Sequence, residues 1–274
     1  MEVQMSDIYS EGDIYSKDDD VTIYMTPTTP LTYDNNKWVY HQMPDVTQFK
    51  ADMKRQQSLH ADHGVLTHLK FEFPENVKPN IDIMQLLRAE GFQVGNLELY
   101  MIEAADLRQL TGPSLEIEPV TIKNMADYMH VYEPLSIQFG ADYIKESAQA
   151  LLTNLKKDTR ALQPYIAYEN AQPVGIMNVI ETERTVELDG FAVTEAARGR
   201  GVGSRMQAFM GEIARERGVG SRMQAFMGEI ARERPVILVA DAEDTAREMY
   251  MKQGYTFVSF QYSALKELTV SVSY

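Results

Sequence analysis

One 17-residue segment occurs twice in tandem in this chain: residues 201–217, GVGSRMQAFMGEIARER, are repeated unchanged as residues 218–234. Each copy opens on alternating glycines and continues with apolar residues at helical spacing, which predicts a glycine-rich turn followed by an amphipathic helix. The stripe of the first copy consists of Val202, Met206, Phe209, Met210 and Ile213. The second copy repeats it at Val219, Met223, Phe226, Met227 and Ile230.

The two copies cannot form one straight helix that packs both stripes on the same surface. At about 3.6 residues per turn, the repeat rotates the second stripe by about 260° beyond whole turns. Gly218 and Gly220 also weaken the junction. We therefore predict a break, with the second copy inserted as a helical excursion before Pro235. A stripe without a place in the core would favour a homodimer through the duplicated helix.

Composition limits the class of function. The 274 residues carry 26 Lys and Arg against 40 Asp and Glu, a formal net charge of −14. Such an acidic chain is not expected to bind nucleic acid or an anionic membrane surface. The absence of cysteine excludes disulfides, thiolate catalysis and Cys-based metal sites. The N-terminus has no signal-peptide pattern and no apolar run could span a bilayer, so we expect a cytoplasmic protein.

Strand-like and helix-like patterns alternate along the chain, which predicts an α/β (α+β) fold with a mixed central sheet flanked by helices. Residues 1–20 are polar and acidic, and we expect this start to be partly mobile. Thr111–Ser114, TGPS, is typical of a linker and divides the chain into residues 1–112 and 115–274.

Three histidines in the stretch HADHGVLTH are candidate metal ligands: His60, His63 and His68. No H-E-x-x-H motif and no nearby carboxylate pattern supports a metal site there. We therefore expect solvated loop histidines and predict no metal.

The stretch FAVTEAARGRGVGSRM carries the most chemical information. A predicted strand ends at Val193, and a turn rich in arginine and glycine, residues 198–203, precedes the helix. Glycines let backbone N–H groups approach a ligand, and the helix N-terminus favours an anion, so the turn suits a phosphate or pyrophosphate. A Walker A loop would need Gly-Lys-Ser/Thr where this chain has Gly-Ser-Arg at 203–205. A Rossmann glycine motif is weak so late in the domain, and a helix start without any ligand stays open.

The surrounding residues resemble the GNAT (GCN5-related) N-acetyltransferase family. Val193 through Gly203 is similar to the family's acetyl-CoA loop, V-x-x-x-x-R-G-x-G-x-G. Downstream, Ala246, Tyr250, Gly254 and Tyr255 match the family pattern A-x-x-x-Y-x-x-x-G-[FY]. The resemblance covers roughly Leu115–Leu268. It implies an enzyme, an N-acetyltransferase of the acyltransferase class, that uses acetyl-CoA as co-substrate and no metal.

The resemblance also implies a role for each matching residue. Backbone groups of Phe191, Ala192 and Val193 would hold the acetyl carbonyl and the pantetheine arm. Backbone amides of the loop would hold the pyrophosphate; the loop consists of Arg198, Gly199, Arg200, Gly201, Val202, Gly203 and Ser204. Tyr250 would protonate the departing CoA thiolate. Glu187 is the preferred general base, with Asp189 on the same strand face as the second candidate and a solvated carboxylate as the alternative.

Each copy of the repeat contains an R-x-x-G-x-G match. Only Arg198–Gly203 lies at the right distance after Val193. The second match, Arg215–Gly220, has Glu216 in the place of Gly199, and a carboxylate there would repel a pyrophosphate. We therefore assign the CoA loop to the first copy. An exchange of roles, with the second copy docked, stays open because the two helices are identical.

The first half of the chain contains the same order of elements as the C-terminal part: a helix, a glycine and a strand. Aligning Gly91-Phe92 with Gly254-Tyr255 places Leu87 opposite Tyr250. This predicts two GNAT-like halves in tandem, with a degenerate half in residues 1–112 that lacks the cofactor loop and the acid. An unrelated α+β domain is the alternative.

The predicted function is acetyl-CoA-dependent transfer of acetyl to the primary amine of a small molecule, such as an amino acid, a polyamine or an amine-bearing antibiotic. A non-catalytic acyl-CoA-binding or sensor module is one alternative. A peptide N-terminal acetyltransferase is the other.

Overall fold

The computed structural model describes residues 2–65, 67–157, 161–216, 233–242 and 246–268, and the chain forms two compact units. The first unit comprises Met1–Leu99, Ala240–Asp244 and Val258–Tyr274. The second comprises Tyr100–Val239 and Thr245–Phe257. The predicted domains, 1–112 and 115–274, divide the chain at a single point and remain a prediction.

The first unit is built on an antiparallel arrangement with one parallel pair. Its strands are β1 (Ile14–Lys17), β2 (Val21–Tyr24), β3 (Trp38–Tyr40), β4 (His68–Glu72), most of β5 (Gln93–Ile102) and most of β11 (Thr256–Glu267). Its helices are α1 (Val46–Asp62) and α2 (Ile81–Ala89). The strands β1, β2, β3, β4 and β11 follow one another in that order, and only the β3–β4 pair among them is parallel. The aromatic rings of Trp38, Phe49, Phe71 and Phe73 are fully buried at its core.

Helix α1 begins directly after a capping residue. The carboxylate of Asp45 accepts a hydrogen bond from the backbone N–H of Gln48 at 2.8 Å, which satisfies one of the free amides at the helix start. Phe49, Met53 and His60 lie on the buried face of this helix at helical spacing. Burial of that face holds α1 on the sheet of the first unit.

The expectation of solvated histidines is wrong for two of the three residues. His60 and His68 are buried, not solvated: the His60 ring donates from Nδ1 to the carbonyl of His68 at 2.9 Å, and His68 donates from Nε2 to the carbonyl of Asn36 at 3.0 Å. Burial lowers the pKa of both rings, that of His68 to about 4. His63 is exposed, as expected. Further along the acidic start, residues 14–17 form strand β1, which pairs antiparallel with β2, and the partly mobile beginning of the chain stays a prediction.

The second unit carries the glycine-rich loop. Its strands are β6 (Glu116–Pro119), β7 (Leu162–Glu169), β8 (Gln172–Glu181), β9 (Val186–Val193) and most of β10 (Val236–Asp241). Its helices are α3 (Ala104–Leu107), α4 (Met125–Ser136), α5 (Ala141–Leu155), α6 (Val202–Glu216) and α7 (Ala246–Lys252). Strands β6 to β9 pair antiparallel in sequence order, and β10 joins β9 in parallel.

Helices cover both faces of this mixed sheet. Ile176 of β8 belongs to the apolar cluster formed with α4 and α5. The neighbouring Gly175 faces the opposite side, where a Cβ atom would lie 2.6 Å from the sulfur of Met206 on α6. Successive residues of a strand point to opposite faces, so α4 and α6 lie on the two sides of the sheet. The predicted mixed sheet flanked by helices is confirmed.

The two halves share one turn geometry. Gly91 after α2 and Gly254 after α7 both have a left-handed backbone, with φ of +80° and +98°. The residue after each glycine donates its N–H back into the helix, from Phe92 to the carbonyl of Leu87 at 2.9 Å and from Tyr255 to that of Tyr250 at 3.1 Å. This is the Schellman type of helix end, and it places Leu87 and Tyr250 at equivalent positions, as the alignment predicted.

Candidate functional site

Strands β9 and β10 pair over a short distance and then separate. Their parallel ladder consists of Val186 with Val236 and Glu187 with Ile237. The opposite edge of β9 stays paired with β8 as far as Val193. Within the described residues, the second half of β9 therefore has one edge outside any ladder with β10. The backbone groups of Phe191, Ala192 and Val193 belong to this half of the strand.

A bulge deforms β9 at the same place. Ile176 pairs with Ala192 and Asn178 pairs with Asp189, so β9 has one residue more than β8 between these partners. Gly190 lies within the bulge at a φ of +51°. A Cβ atom on Gly190 would lie 2.7 Å from the Nδ2 atom of Asn178. Glycine is therefore required here both for backbone conformation and for space.

The glycine-rich loop connects β9 to α6. Gly199 and Gly201 have φ values of +72° and +81°, which residues with a side chain rarely adopt. Around Gly199 the space is open, since a Cβ atom would meet no described atom within 4 Å. The hydrogen-bond ladder of α6 begins where Arg205 donates its N–H to the carbonyl of Gly201 at 3.0 Å. The amides of residues 202–204 precede it, and such first-turn amides have no acceptor inside their helix.

This arrangement fits a pyrophosphate. The amides at the start of a helix point toward an anion, and the helix dipole adds partial positive charge. Arg198 and Arg200 add two cationic side chains at the loop. In the present conformation Arg198 donates from Nε to the carbonyl of Val193 at 3.4 Å, and Arg200 forms an ion pair with Glu169 at the end of β7.

The residues expected to be a linker pack against this loop. A Cβ atom on Gly201 would lie 3.4 Å from the Cα atom of Gly112 and 3.5 Å from the Cδ atom of Pro113. On the next turns of α6, a Cβ on Gly211 would lie 2.7 Å from the carbonyl oxygen of Ala104. Residues 104–113 therefore contact α6 near both of its ends.

The first copy of the repeat forms α6. Its apolar stripe packs as predicted: Val202, Met206, Met210 and Ile213 are buried, and the ring of Phe209 contacts that of Tyr165 at 5.3 Å between centroids. The stripe predicted for the second copy, the match Arg215–Gly220 beyond residue 216, and the predicted break lie outside the described residues.

The two described residues at the end of the second copy, Glu233 and Arg234, are held by side-chain contacts. The guanidinium of Arg108 donates to the carbonyl of Gly211 at 3.1 Å and to both carboxylate oxygens of Glu233 at 2.8 and 3.0 Å. The next residue, Arg234, pairs with Glu181 at 2.9 Å. These contacts fix the point from which the chain enters β10.

Tyr250 lies on α7 and is buried, with 8% of its surface exposed. Its ring contacts those of Tyr255 at 5.4 Å and Tyr100 at 6.4 Å between centroids. Burial, and secondarily the neighbouring Tyr250, raises the pKa of Tyr255. The ring of Tyr250 therefore packs against two other aromatic side chains.

The two carboxylates predicted on β9 share a face but differ in exposure. Glu187 is 6% exposed, whereas Asp189 is exposed to solvent. Asp189 accepts a hydrogen bond from Nδ2 of Asn178 at 3.1 Å, and Asn178 accepts one from the hydroxyl of Tyr128 at 3.4 Å. Sequence motifs did not identify Asn178 and Tyr128, because their relation to Asp189 depends on strand register and on the packing of α4.

Two general features bear on the class of site. Among the described residues, no group of three or more His, Asp or Glu side chains has a geometry that could hold a metal ion. No helix in that part of the chain has both the length and the apolar character needed to cross a membrane.

Comparisons with known sequences agree with this geometry. Residues 161–257 match the family model described as an acetyltransferase (GNAT) domain. Residues 3–100 match a model described as a domain of unknown function, DUF5613, so a degenerate GNAT origin of the first half stays a prediction. A search of curated proteins found no match to the chain.

Solved structures extend the likeness over the whole chain. A conserved protein of unknown function from Staphylococcus epidermidis ATCC 12228 is 37% identical, with a TM-score of 0.86 over 97% of this chain and 98% of that chain. A GCN5-related N-acetyltransferase from Sphaerobacter thermophilus is 12% identical, with a TM-score of 0.55 over 93% of this chain and 78% of that one.

A tandem GNAT protein from the clavulanic acid biosynthesis pathway is also 12% identical, with a TM-score of 0.52 over 86% of this chain and 76% of that one. At such identities the last two likenesses concern the fold alone. The GNAT domain match covers the separated strands, the glycine loop, α6 and Tyr250. Residues 161–257 therefore form a GNAT acetyltransferase domain.

Proposed function

We infer that this protein is an acetyl-CoA-dependent N-acetyltransferase that acetylates the primary amine of a small molecule. The observation that carries the proposal is the end of the β9–β10 ladder after Glu187, directly before the glycine loop. It leaves a strand edge and a helix N-terminus next to each other along the chain. An extended ligand with amide groups at one end and a pyrophosphate at the other matches that pair of features.

The second half of β9 would receive the acyl end of acetyl-CoA. Backbone N–H and C=O groups of Phe191, Ala192 and Val193 on the separated edge would pair with the pantetheine amides, as a neighbouring strand would. The loop Arg198–Ser204 would hold the pyrophosphate through its amides and its two arginines. Buried Val202 and Met206 fix α6 on the sheet, so the loop is anchored at its helical end.

The chain would then assist direct transfer. A β9 carboxylate, Glu187 or Asp189, takes a proton from the acceptor ammonium. The free amine nitrogen attacks the thioester carbon, a C–N bond forms and the C–S bond breaks. A strand N–H at the Gly190 bulge stabilises the negative charge that develops on the carbonyl oxygen. Tyr250 donates its phenolic proton to the departing thiolate and regains one as the attacking nitrogen loses its second proton, so the transfer releases a single proton overall.

Thiol release from acetyl-CoA across a panel of primary amines tests this function. The panel comprises amino acids, polyamines, aminoglycosides and peptides with free N-termini. Tyr250→Phe is expected to lower kcat at least about 100-fold, the usual size of a general-acid contribution, while the Kd for CoA stays constant. Tyr262→Phe, on β11 in the first unit, is the matched control and keeps its activity.

The same panel decides between the alternatives. CoA binding without thiol release on any amine would overturn the enzyme in favour of a non-catalytic acyl-CoA sensor. Turnover confined to peptides would identify a peptide N-terminal acetyltransferase. The cytoplasmic location and the homodimer through the duplicated helix stay predictions.

A further inference from the structure

The carboxylate of Asp189 combines a defined hydrogen-bond partner with a surface that is open to solvent. It is directly paired with Asn178 across the β8–β9 ladder, and its Oδ2 atom accepts from the Nδ2 atom of Asn178 at 3.1 Å. Exposed carboxylates usually rotate freely and gain little from any one partner. Here the strand register brings the amide to the carboxylate, so no long side chain has to be ordered for the contact.

The hydroxyl of Tyr128 determines which way the Asn178 amide points. Tyr128 is only 6% exposed and donates from its hydroxyl to the Oδ1 atom of Asn178 at 3.4 Å. An asparagine amide has one accepting and one donating end. Because the hydroxyl takes the accepting end, the NH₂ group is directed to Asp189. The reversed amide would place two oxygens against each other.

Neighbouring groups keep the tyrosine and the amide in place. The ring of Tyr128 stacks on that of Tyr132 at 6.2 Å between centroids, and Tyr132 donates to the hydroxyl of Ser147 on α5 at 3.0 Å. On the other side, Gly190 leaves the space that Asn178 occupies. The three residues Tyr128, Asn178 and Asp189 thus form one directed hydrogen-bond chain from the core to the surface, which we name the Tyr128 relay.

We propose that the Tyr128 relay selects acceptors with an ammonium group, with Asp189 as the residue that contacts the cation and with Asn178 and Tyr128 as its positioning residues. The proposal rests on the proposed function and names the acceptor class of the same site. A carboxylate held by one amide donor keeps its remaining lone pairs for an N–H⁺ donor. Asp189 directly precedes the bulge at Gly190, so a cation bound to it lies next to the backbone proposed to receive the acetyl group.

In this scheme the proton balance is simple. The acceptor arrives as R–NH₃⁺ and forms a charge-assisted hydrogen bond with the carboxylate of Asp189. The carboxylate takes one proton, and the amine attacks the acetyl carbon as the C–S bond breaks. The nitrogen passes its second proton to the Tyr250 phenolate that protonation of the thiolate leaves behind, and Asp189 releases its proton to solvent after the thiol has left. Glu187, nearly buried, is not required to contact the cation.

The test compares a cationic and a neutral acceptor of similar shape, benzylamine and aniline, by calorimetric binding in the presence of CoA and by acetyl transfer. Asp189→Asn, Asn178→Ala and Tyr128→Phe are each expected to weaken benzylamine binding and raise its KM, by about tenfold for the loss of a hydrogen bond to a charged group. Aniline binding and the KM for acetyl-CoA stay within about twofold. Tyr132→Phe, which removes a hydroxyl from the same helix outside the relay, is the matched control.

The outcomes separate the relay from the proposed function. Unchanged benzylamine affinity in all three relay variants, or equal losses for benzylamine and aniline, would overturn the relay even if acetyl transfer occurs. A wild-type chain that does not bind benzylamine overturns it as well. Selective loss of benzylamine binding without any acetyl transfer would support the relay and refute the enzyme. Since Tyr128→Phe removes a single atom, it keeps the test informative if Asn178→Ala fails to fold.

Discussion

Gly112 lies so close to the carbonyl oxygen of Gly201 that a Cβ atom on Gly112 would overlap it. The same atom would lie 2.8 Å from the Cβ atom of Arg205, on the first turn of α6. Residues that the sequence marks as a linker therefore support the loop proposed to bind pyrophosphate. The spacing allows no side chain at position 112 unless the loop moves.

Gly112→Ala is therefore expected to displace the loop and raise the KM for acetyl-CoA by about tenfold, since overpacking of this kind usually costs about 1–3 kcal/mol. We expect kcat to change much less. Steady-state kinetics with varied acetyl-CoA measure the change in KM and the change in kcat separately. Ser114→Ala, a small change at an exposed position two residues further on, is the control. An unaltered KM in Gly112→Ala would show that the loop does not depend on residue 112.

Arg200 belongs to the proposed pyrophosphate site, and its side chain is half exposed beside Glu169. Arg200→Ala should raise the Kd for CoA by about tenfold, the effect of losing one charge-assisted hydrogen bond. Because salt screens an exposed charge, the difference should shrink in 1 M salt, where the Debye length is about 3 Å. Calorimetry at two salt concentrations measures it, with Arg88→Ala on α2 as control. A salt-independent loss would point to damage to the loop instead.

The repeat can be shortened in one way only, because removing any 17 consecutive residues within 201–234 yields the same sequence. Removing residues 216–232 is expected to leave a folded chain that binds CoA and keeps its activity within about twofold. The buried stripe of the first copy remains, and Glu233 and Arg234 keep their positions before Pro235. A change of this length alters the closure entropy of a connecting segment by about 1 kcal/mol or less.

Circular dichroism, thermal unfolding and CoA calorimetry compare the shortened chain with the full one. Loss of folding or of CoA binding would show that the second copy supplies contacts the protein needs.

His68 makes the stability of the first unit depend on pH. Its ring is fully buried, and burial lowers its pKa to about 4, against an ordinary value of about 6.5. Below pH 6.5 the unfolded chain therefore binds a proton that the folded chain refuses until about pH 4, so stability falls as the pH falls through this window. Linkage predicts a loss of about 2 kcal/mol between pH 7.5 and pH 5.

Urea unfolding followed by the fluorescence of Trp38, the single tryptophan of the chain and fully buried in the first unit, reports this loss. His68→Gln removes the titrating group and should flatten the dependence. An NMR titration of the His68 ring checks the same point in the folded wild type. A titration midpoint near pH 6.5 would contradict the lowered pKa of His68.

Much of the fold follows from local signals in the sequence. In the sequence, Asp45 as a capping residue and the apolar spacing of Val46, Phe49 and Met53 indicate the start of α1. His60 was misjudged although a signal existed: positions 49, 53, 56 and 60 follow one helical face. Strand β1 was missed because an exposed, polar edge strand shows no apolar alternation.

The sequence likewise predicts some residues of the candidate site and misses others. The glycine loop and Tyr250 are identified by motifs, since their chemistry depends on residues close together in the sequence. Asn178, Tyr128 and Gly112 were not identified. Their partners lie 11, 50 and 89 positions away, and only strand register and helix packing bring them together. Whether Glu187 or Asp189 faces solvent likewise depended on tertiary packing that the strand pattern does not reveal.

The separation of β9 from β10 also affects how the protein behaves between catalytic cycles. A strand edge without a partner is a template on which strands of other molecules can add, and such edges promote aggregation. The pantetheine arm of acetyl-CoA would shield this edge. We therefore expect the ligand-free protein to lose solubility on storage faster than the CoA-bound protein, so that the cosubstrate also protects the enzyme against self-association.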